Sequence, residues 1–386
     1  MKKNGKGRNF NGEGTFYYSE SLKRWVGQFT NPNTGKRQTV SDVDEKKARV
    51  KLRKAMSDAE NGKYTEKSTI TIENLAQEIL DLKLNSNIIC EATYYRDLDS
   101  LAIIKNYIGN IRIQKVTRSQ IQDFLNTIKE DYSNSVIGKV YQLLKTVMKE
   151  AILRENITKN PMNHVIKPKS VKKDKKIRAL TIEEHQKFLN ALNSSYANHK
   201  YKNVFLIAIN TGMRSGEILA LQPKDIDFKD KIIHVRSTLS KNKKGLIIFK
   251  YDKTKTYAGT RDLPIDDFVV SVLKESIKNM CLNQYGVIFS SNNKLISHTS
   301  INGAFLTICR NLEFEIKKNN EYLTEHSLRH TFATRCIEAG MPAHVLQKLL
   351  GHTDISTTIN TYTDIFNKYK EDEIKKVIEY KKMHNI

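Results

Sequence analysis

From residue 166 to 178 the chain reads IKPKSVKKDKKIR, with seven lysines and arginines, one aspartate and no apolar period. A run of like charge repels itself and offers no face to bury, so it reads as a solvated linker. The segments on its two sides must therefore build separate cores. A length of 386 residues leaves room for two or three domains.

The part before the linker divides again by pattern. Residues 1–62 carry three alternating stretches, GTFYYSES, RWVGQFTNP and GKRQTV, each closed by turn residues, then a helical run that stops at Gly62. This predicts a three-stranded sheet plus one helix, a module too small for much of a core. Its Lys23, Arg24, Lys36 and Arg37 mark a basic surface suited to DNA. Residues 65–165 read as helical. Thr71 and Thr117 stand at cap positions, and Val136, Ile137, Val140, Leu143, Leu144, Val147, Met148, Ala151 and Ile152 form one apolar stripe. Pro161 ends that segment. After the linker, residues 179–386 mix patterns. Thr181 and Glu184 form a capping box, and apolar NVFLIAIN leads to a turn at Thr211–Gly212. KIIHVRST, GLIIFK and RDLPI read as three strands, and helices are expected near 266–280, 299–312, 327–340, 342–350 and 354–364. The expected fold class is multidomain, mainly α with small β sheets, the last domain being mixed α+β.

Composition narrows the partner. The formal net charge is +23, and self-repulsion on that scale is useful mainly against a polyanion. In the linker, Lys167, Lys169, Lys172 and Lys173 would track a phosphate backbone. Cys90, Cys281, Cys309 and Cys336 are scattered, with no CxxC pair and no histidine at metal spacing. That argues against a disulfide framework or a structural zinc and suits a reducing cytoplasm. There is no run of eighteen apolar residues, and no apolar block comes after the charged N-terminus, so neither a membrane span nor a secretory signal is expected.

Four patches in the last domain concentrate unusual residues. NTGMRSGEIL sets Arg214 and Glu217 three apart at a helix start. TKTYAGTRDLPI holds Lys255 near a turn between strands, with Lys253 two residues earlier. EHSLRHTFAT puts His326 and Arg329 on one helix face, and LLGHTDISTTINTY carries His352 and Tyr362. Paired carboxylates, the mark of metal-dependent phosphoryl transfer, are missing from this set. Two guanidiniums supply fixed, bidentate donors for phosphate oxygens and would take a metal's place. A tyrosine, with a reference pKa of about 10, becomes a usable nucleophile where positive charge favours its phenolate, and a lysine can protonate the departing oxygen. Together these residues describe covalent phosphoryl transfer through a phosphotyrosine.

The order TGMRSGE, TKT…R.LPI, HSLRH, LGH and TINTY resembles the catalytic domain of tyrosine recombinases of the phage-integrase type, over roughly residues 175–386. The upstream helical segment is similar to that family's core-binding domain. The N-terminal module resembles the arm-DNA-binding domain of integrases from temperate phages and conjugative transposons. The resemblance implies that Arg214 and Arg329 clamp the scissile phosphate and that His326 bonds it and manages protons. It implies Lys255 as general acid on the 5′ oxygen, Glu217 as orienter of Arg214, His352 in the position held by His or Trp, and Tyr362 as nucleophile. It further implies a reaction without cofactor, metal or ATP, in the bacterial cytoplasm. Double-stranded DNA at core and arm sites, a homo-tetramer on two sites, a DNA-bending protein and an excisionase would be the partners. A Xer-type resolvase, a type IB topoisomerase and a non-catalytic DNA-binding regulator are the alternatives. The N-terminal sheet speaks against the first and the complete residue set against the last.

Overall fold

The computed structural model describes residues 14–384 apart from 33–34, 62–67, 198, 242–246 and 251–259. Two compact units divide between Lys173 and Asp174, inside the basic stretch.

The first unit opens with strands β1 (Thr15–Ser19), β2 (Arg24–Thr30) and β3 (Arg37–Asp42), an antiparallel sheet in that order, and then helix α1 (Glu45–Glu60). Phe29 and Val40 meet Leu52, Ala55 and Ala59 of the helix in a small apolar cluster. A Cβ on Gly27 would stand 2.9 Å from Leu52, so the small residue lets helix and sheet close. Helices α2 (Ile72–Asn85), α3 (Glu91–Tyr107), α4 (Arg118–Ile128) and α5 (Asn134–Leu153) complete the unit. Thr71 caps α2, and Thr117 with Gln120 forms a full capping box on α4. The stripe on α5 is buried from Ile137 to Ala151, with Val136 partly buried; Ile152, at its margin, is exposed.

The basic stretch is held at both ends. Gln122 and Ile166 exchange two hydrogen bonds of 2.9 and 3.0 Å, and the Ser170 hydroxyl donates to the Tyr132 carbonyl at 2.6 Å. On the other side, strand β4 (Lys176–Ile177) pairs in parallel with Glu321–Tyr322. These bonds tie its backbone to residues far away in sequence, a feature that charge pattern does not record.

In the second unit, α6 (Ile182–Asn193) carries the Thr181–Glu184 capping box, and α7 (Lys202–Thr211) is buried from Val204 to Ile209. A helix apolar all round belongs at the centre of a core. There Phe188, Phe205 and Phe305 meet at ring separations of 5.6–6.2 Å. Next come α8 (Ser215–Ile218) and strands β5 (Ile226–Asp227), β6 (Ile232–Val235), β7 (Thr238–Lys241), β8 (Ile247–Lys250) and β9 (Arg261–Pro264). KIIHVRST is therefore two strands: β6 joins β5 and β9 while β7 pairs with β8. The break lets the β7–β8 hairpin leave the first sheet and reach α8. The remaining elements are α9 (Asp267–Lys278), β10 (Ser290–Ser291), β11 (Lys294–Leu295), α10 (His298–Asn311), β12 (Lys317–Lys318), β13 (Glu321–Tyr322), α11 (His326–Glu338), α12 (Ala343–Leu350) and α13 (Ile355–Met383). The helix expected near 354–364 runs on to Met383, with non-helical backbone at Tyr362 (φ −118°, ψ 19°). Among the described residues no helix is long and apolar enough to cross a membrane.

Candidate active site

The site is assembled on the carboxyl end of α12. A helix leaves its last carbonyls without intrahelical partners and carries partial negative charge there. Here three successive carbonyls are each taken by an arginine from a different element. Arg261 Nε, at the start of β9, donates to Leu349 at 2.7 Å; Arg329 Nη2, on α11, donates to Leu350 at 2.6 Å; and Arg214 Nη2 donates to Gly351 at 3.3 Å. Gly351 adopts φ +66°, the left-handed cap that ends α12 and turns its carbonyl outward.

Beneath them lies Glu217, 4% exposed. Arg261 engages it through both Nη atoms at 2.8 and 3.2 Å, and Arg214 Nη1 donates to it at 2.8 Å. Glu217 also accepts the Arg214 backbone N–H at 3.0 Å, closing a capping box that fixes the first turn of α8. Burial pushes its carboxyl up, but Arg261, Arg214 and Arg329 outweigh burial and hold it at about 2. Arg214 remains 39% exposed in its side chain, whereas Arg329 is 3% exposed and also donates to the Gly212 carbonyl at 2.7 Å. Burial and then Arg214 pull the Arg329 guanidinium down to about 9.

Three imidazoles line the same region. Arg329 Nη2 lies 2.9 Å from His352 Nε2, and a guanidinium has only hydrogens to offer, so Nε2 accepts. Nδ1 therefore carries the hydrogen and donates to Thr358 Oγ1 at 2.8 Å. His326 opens α11, and the His330 ring stands between it (5.2 Å) and Tyr362 (5.6 Å). Burial is the main reason that His326 falls to about 3 and His330 and His352 to about 4; the neighbouring arginines add to it. All three are neutral at pH 7. Tyr362, 4% exposed, sits at the kink of α13 among Ala333, Ile337, Leu346 and Leu350. Burial raises its phenol to about 12, opposed by Arg329.

Of the residues singled out from sequence, Arg214, Glu217, His326, Arg329, His352 and Tyr362 meet in this region. Lys255 and Lys253 lie outside the described residues. Arg261 and His330 stand inside the sequence motifs but have no role there; the buried carboxylate that needs a second cation is visible only in three dimensions. The basic residues do not form one patch. Lys23 and Arg24 lie at the β1–β2 turn, and Lys36 and Arg37 precede and open β3. Arg24 pairs with Ser19 and Arg37 with Thr30, so the two pairs stand about 20 Å apart at about 3.3 Å per residue. Lys167, Lys169, Lys172 and Lys173 belong to the basic stretch, and the Lys172 ammonium donates to the Asp131 carbonyl.

Residues 178–368 match the phage integrase family, and the chain belongs to that family through this domain. It is 29% identical over 295 residues to a XerC-like tyrosine recombinase of Caldanaerobacter subterraneus subsp. tengcongensis, covering 70% of this chain and 74% of that one. It is 26% identical over 339 residues to the integrase of Staphylococcus phage L54a, covering 80% and 92%. Its fold matches the Tn1549 transposon integrase solved with a circular intermediate DNA, with TM-score 0.65, 24% identity, and 79% of this chain and 99% of that one covered.

Proposed function

We propose that this protein is a site-specific recombinase that integrates and excises a mobile element, joining DNA transiently to Tyr362 through a 3′-phosphotyrosine. The observation that carries this reading is the convergence of Arg214, Arg261 and Arg329 on the end of α12, with Tyr362 seated on Leu346 and Leu350 of that same helix. Among these residues three guanidiniums face one carboxylate, Glu217, which leaves two positive charges in excess. An attacked phosphodiester gathers a second negative charge on its non-bridging oxygens, and a fixed excess of that size stabilises it without reorganisation.

In this reading Tyr362 Oη bonds to phosphorus as the bond from phosphorus to O5′ breaks. Lys255 gives O5′ a proton, and the phenol proton leaves toward the imidazoles. Arg214 and Arg329 hold the non-bridging oxygens, with His326 bonded to one of them. His352, tied to Arg329, fixes that guanidinium. Incoming phosphate lowers the positive potential of the arginines, which raises the imidazole basicity that burial and that potential together hold low. A 5′ hydroxyl from the second duplex then attacks the phosphotyrosine, releasing Tyr362 and restoring a phosphodiester. Two duplexes of two strands each require four tyrosines, so a homo-tetramer on two sites is the working assembly.

The phage L54a integrase, aligned over 92% of its length, supports the mobile-element role, and the DNA complex of the Tn1549 enzyme supports duplex DNA as substrate. The sheet with Lys23, Arg24, Lys36 and Arg37 would engage arm sites. Lys167, Lys169, Lys172 and Lys173 would line the core-site duplex and make binding fall steeply with salt. The test is a nicked suicide duplex carrying the element's core site. Wild type should form a covalent protein–DNA band, and Tyr362→Phe should form none. A band of equal intensity from Tyr362→Phe would sink the proposal.

A further inference from the structure

Beside the arginine cradle lies a second polar cluster that the reaction does not use directly. Ser215, 7% exposed, is the first residue of α8, next to Arg214. Its Oγ lies 3.0 Å from Glu325 Oε1 and 2.8 Å from His298 Nδ1. Glu325 immediately precedes His326, and His298 opens α10. The cluster is anchored further out. Asn302, also on α10, accepts the Glu325 backbone N–H at 2.9 Å, and His298 Nε2 stands 3.4 Å from the Leu239 carbonyl of β7. There is no slack around it. A Cβ on Gly216 would come within 2.9 Å of the Leu239 carbonyl and Thr238 Oγ1, and 3.0 Å of His298.

Counting hydrogens shows what holds the cluster. A serine hydroxyl has one hydrogen and faces two groups, so the second bond must be donated to its oxygen. Either the Glu325 carboxyl or the His298 Nδ1 supplies it. Burial pushes the Glu325 carboxyl up, while the Ser215 hydrogen bond pulls it down. The unit thus ties the segment that carries Arg214 to the residue before His326 and to the first turn of α10. The Arg214–Glu217 capping box fixes α8 internally but does not set its place against α11.

We propose that Ser215, Glu325 and His298 are positioning residues that set Arg214 and His326 at their working separation on the phosphate. This rests on the reading of the site as a strand-cleaving one. Displacement of catalytic groups by about 1 Å is enough to cost about 100-fold in rate, and a lost hydrogen bond at this junction permits it. DNA affinity, set by many phosphate contacts, is left alone.

The experiment measures single-turnover cleavage of the nicked suicide duplex, and core-site affinity, for wild type, Ser215→Ala, Glu325→Ala and Glu325→Gln. Ser215→Ala and Glu325→Ala should cleave at least about tenfold more slowly, with affinity unchanged within about twofold. Glu325→Gln keeps an acceptor for the serine and brings its own hydrogens, so it should recover most of the rate. Cleavage by both alanine variants within about twofold of wild type would overturn the proposal, as would parallel losses of binding and cleavage, or a Glu325→Gln variant as slow as Glu325→Ala. Should Ser215→Ala fail to fold, the two Glu325 variants decide. Absence of a covalent product from wild type would instead reject the strand-cleaving reading itself.

Discussion

Glu217 accepts two arginines while almost fully buried, which makes it the residue on which the cradle most depends. The Arg261–Glu217 pair is 7% and 4% exposed, so solvent screens it little, and removing one partner leaves a buried charge short of compensation. Arg261→Ala is expected to destabilise the protein by about 3–5 kcal/mol, read from urea unfolding monitored by circular dichroism. Arg261→Lys restores charge but not the planar fork that meets both carboxylate oxygens and Leu349, so it should recover only part of that loss. Full recovery by lysine would mean that charge alone matters here. At this scale sequence is informative where motif order suffices: Arg214, Glu217, Arg329, His352 and Tyr362 stand out without any geometry. It is uninformative for Arg261, Ser215 and Glu325. A lone arginine after a hairpin or a serine beside a motif arginine has no period, and its partner lies 44 or 110 residues away.

Among the elements, the turn between α7 and α8 shows how a backbone requirement becomes a functional one. Gly212 has φ +65°, and a Cβ there would stand 2.4 Å from the Phe332 ring. Its carbonyl also accepts from Arg329 at 2.7 Å. Gly212→Ala adds both left-handed strain and a clash, so a loss of about 1–3 kcal/mol is expected, together with slower cleavage as Arg329 is displaced. Urea unfolding and single-turnover cleavage measure the two, and a variant normal in both would show that the turn relaxes without moving the arginine. The helices are legible in the sequence because caps and apolar stripes are local: Thr71, Thr117, Thr181 with Glu184, and Ile137 to Ala151 all behave as their spacing requires. The split of KIIHVRST into β6 and β7 is not, because both halves have strand character and only their partners differ. Nor is the kink at Tyr362, where the helical pattern runs straight through the one residue whose backbone leaves it.

For the molecule as a whole, the neutral imidazoles of the site make stability depend on pH. His326, His330 and His352 lie at about 3, 4 and 4 in the fold, against about 6.5 in an unfolded chain. Between those values the unfolded chain binds more protons, so stability rises with pH there. The contribution is complete above about 6.5 and is lost as pH falls toward 4. Each histidine so shifted contributes a slope of up to about 1.4 kcal/mol per pH unit, and the more open His352 contributes less. Glu217, held at about 2, adds a loss of the same sign only below about 4.5, where free carboxylates begin to protonate. The melting temperature of the DNA-free protein should therefore fall continuously from pH 7 to pH 5, above the range where Glu217 adds to the loss. His330→Gln should flatten that slope. On the proposed reading, a phosphate seated among Arg214, Arg329 and His326 would remove the positive potential that helps to keep these rings neutral, so core-site DNA should be bound with proton uptake. Calorimetric titration at pH 6 in buffers of different ionisation heat measures that uptake. A DNA-free melting temperature flat between pH 7 and pH 5, with no proton taken up on binding, would show that the three histidines titrate as exposed ones and are not part of a desolvated cradle.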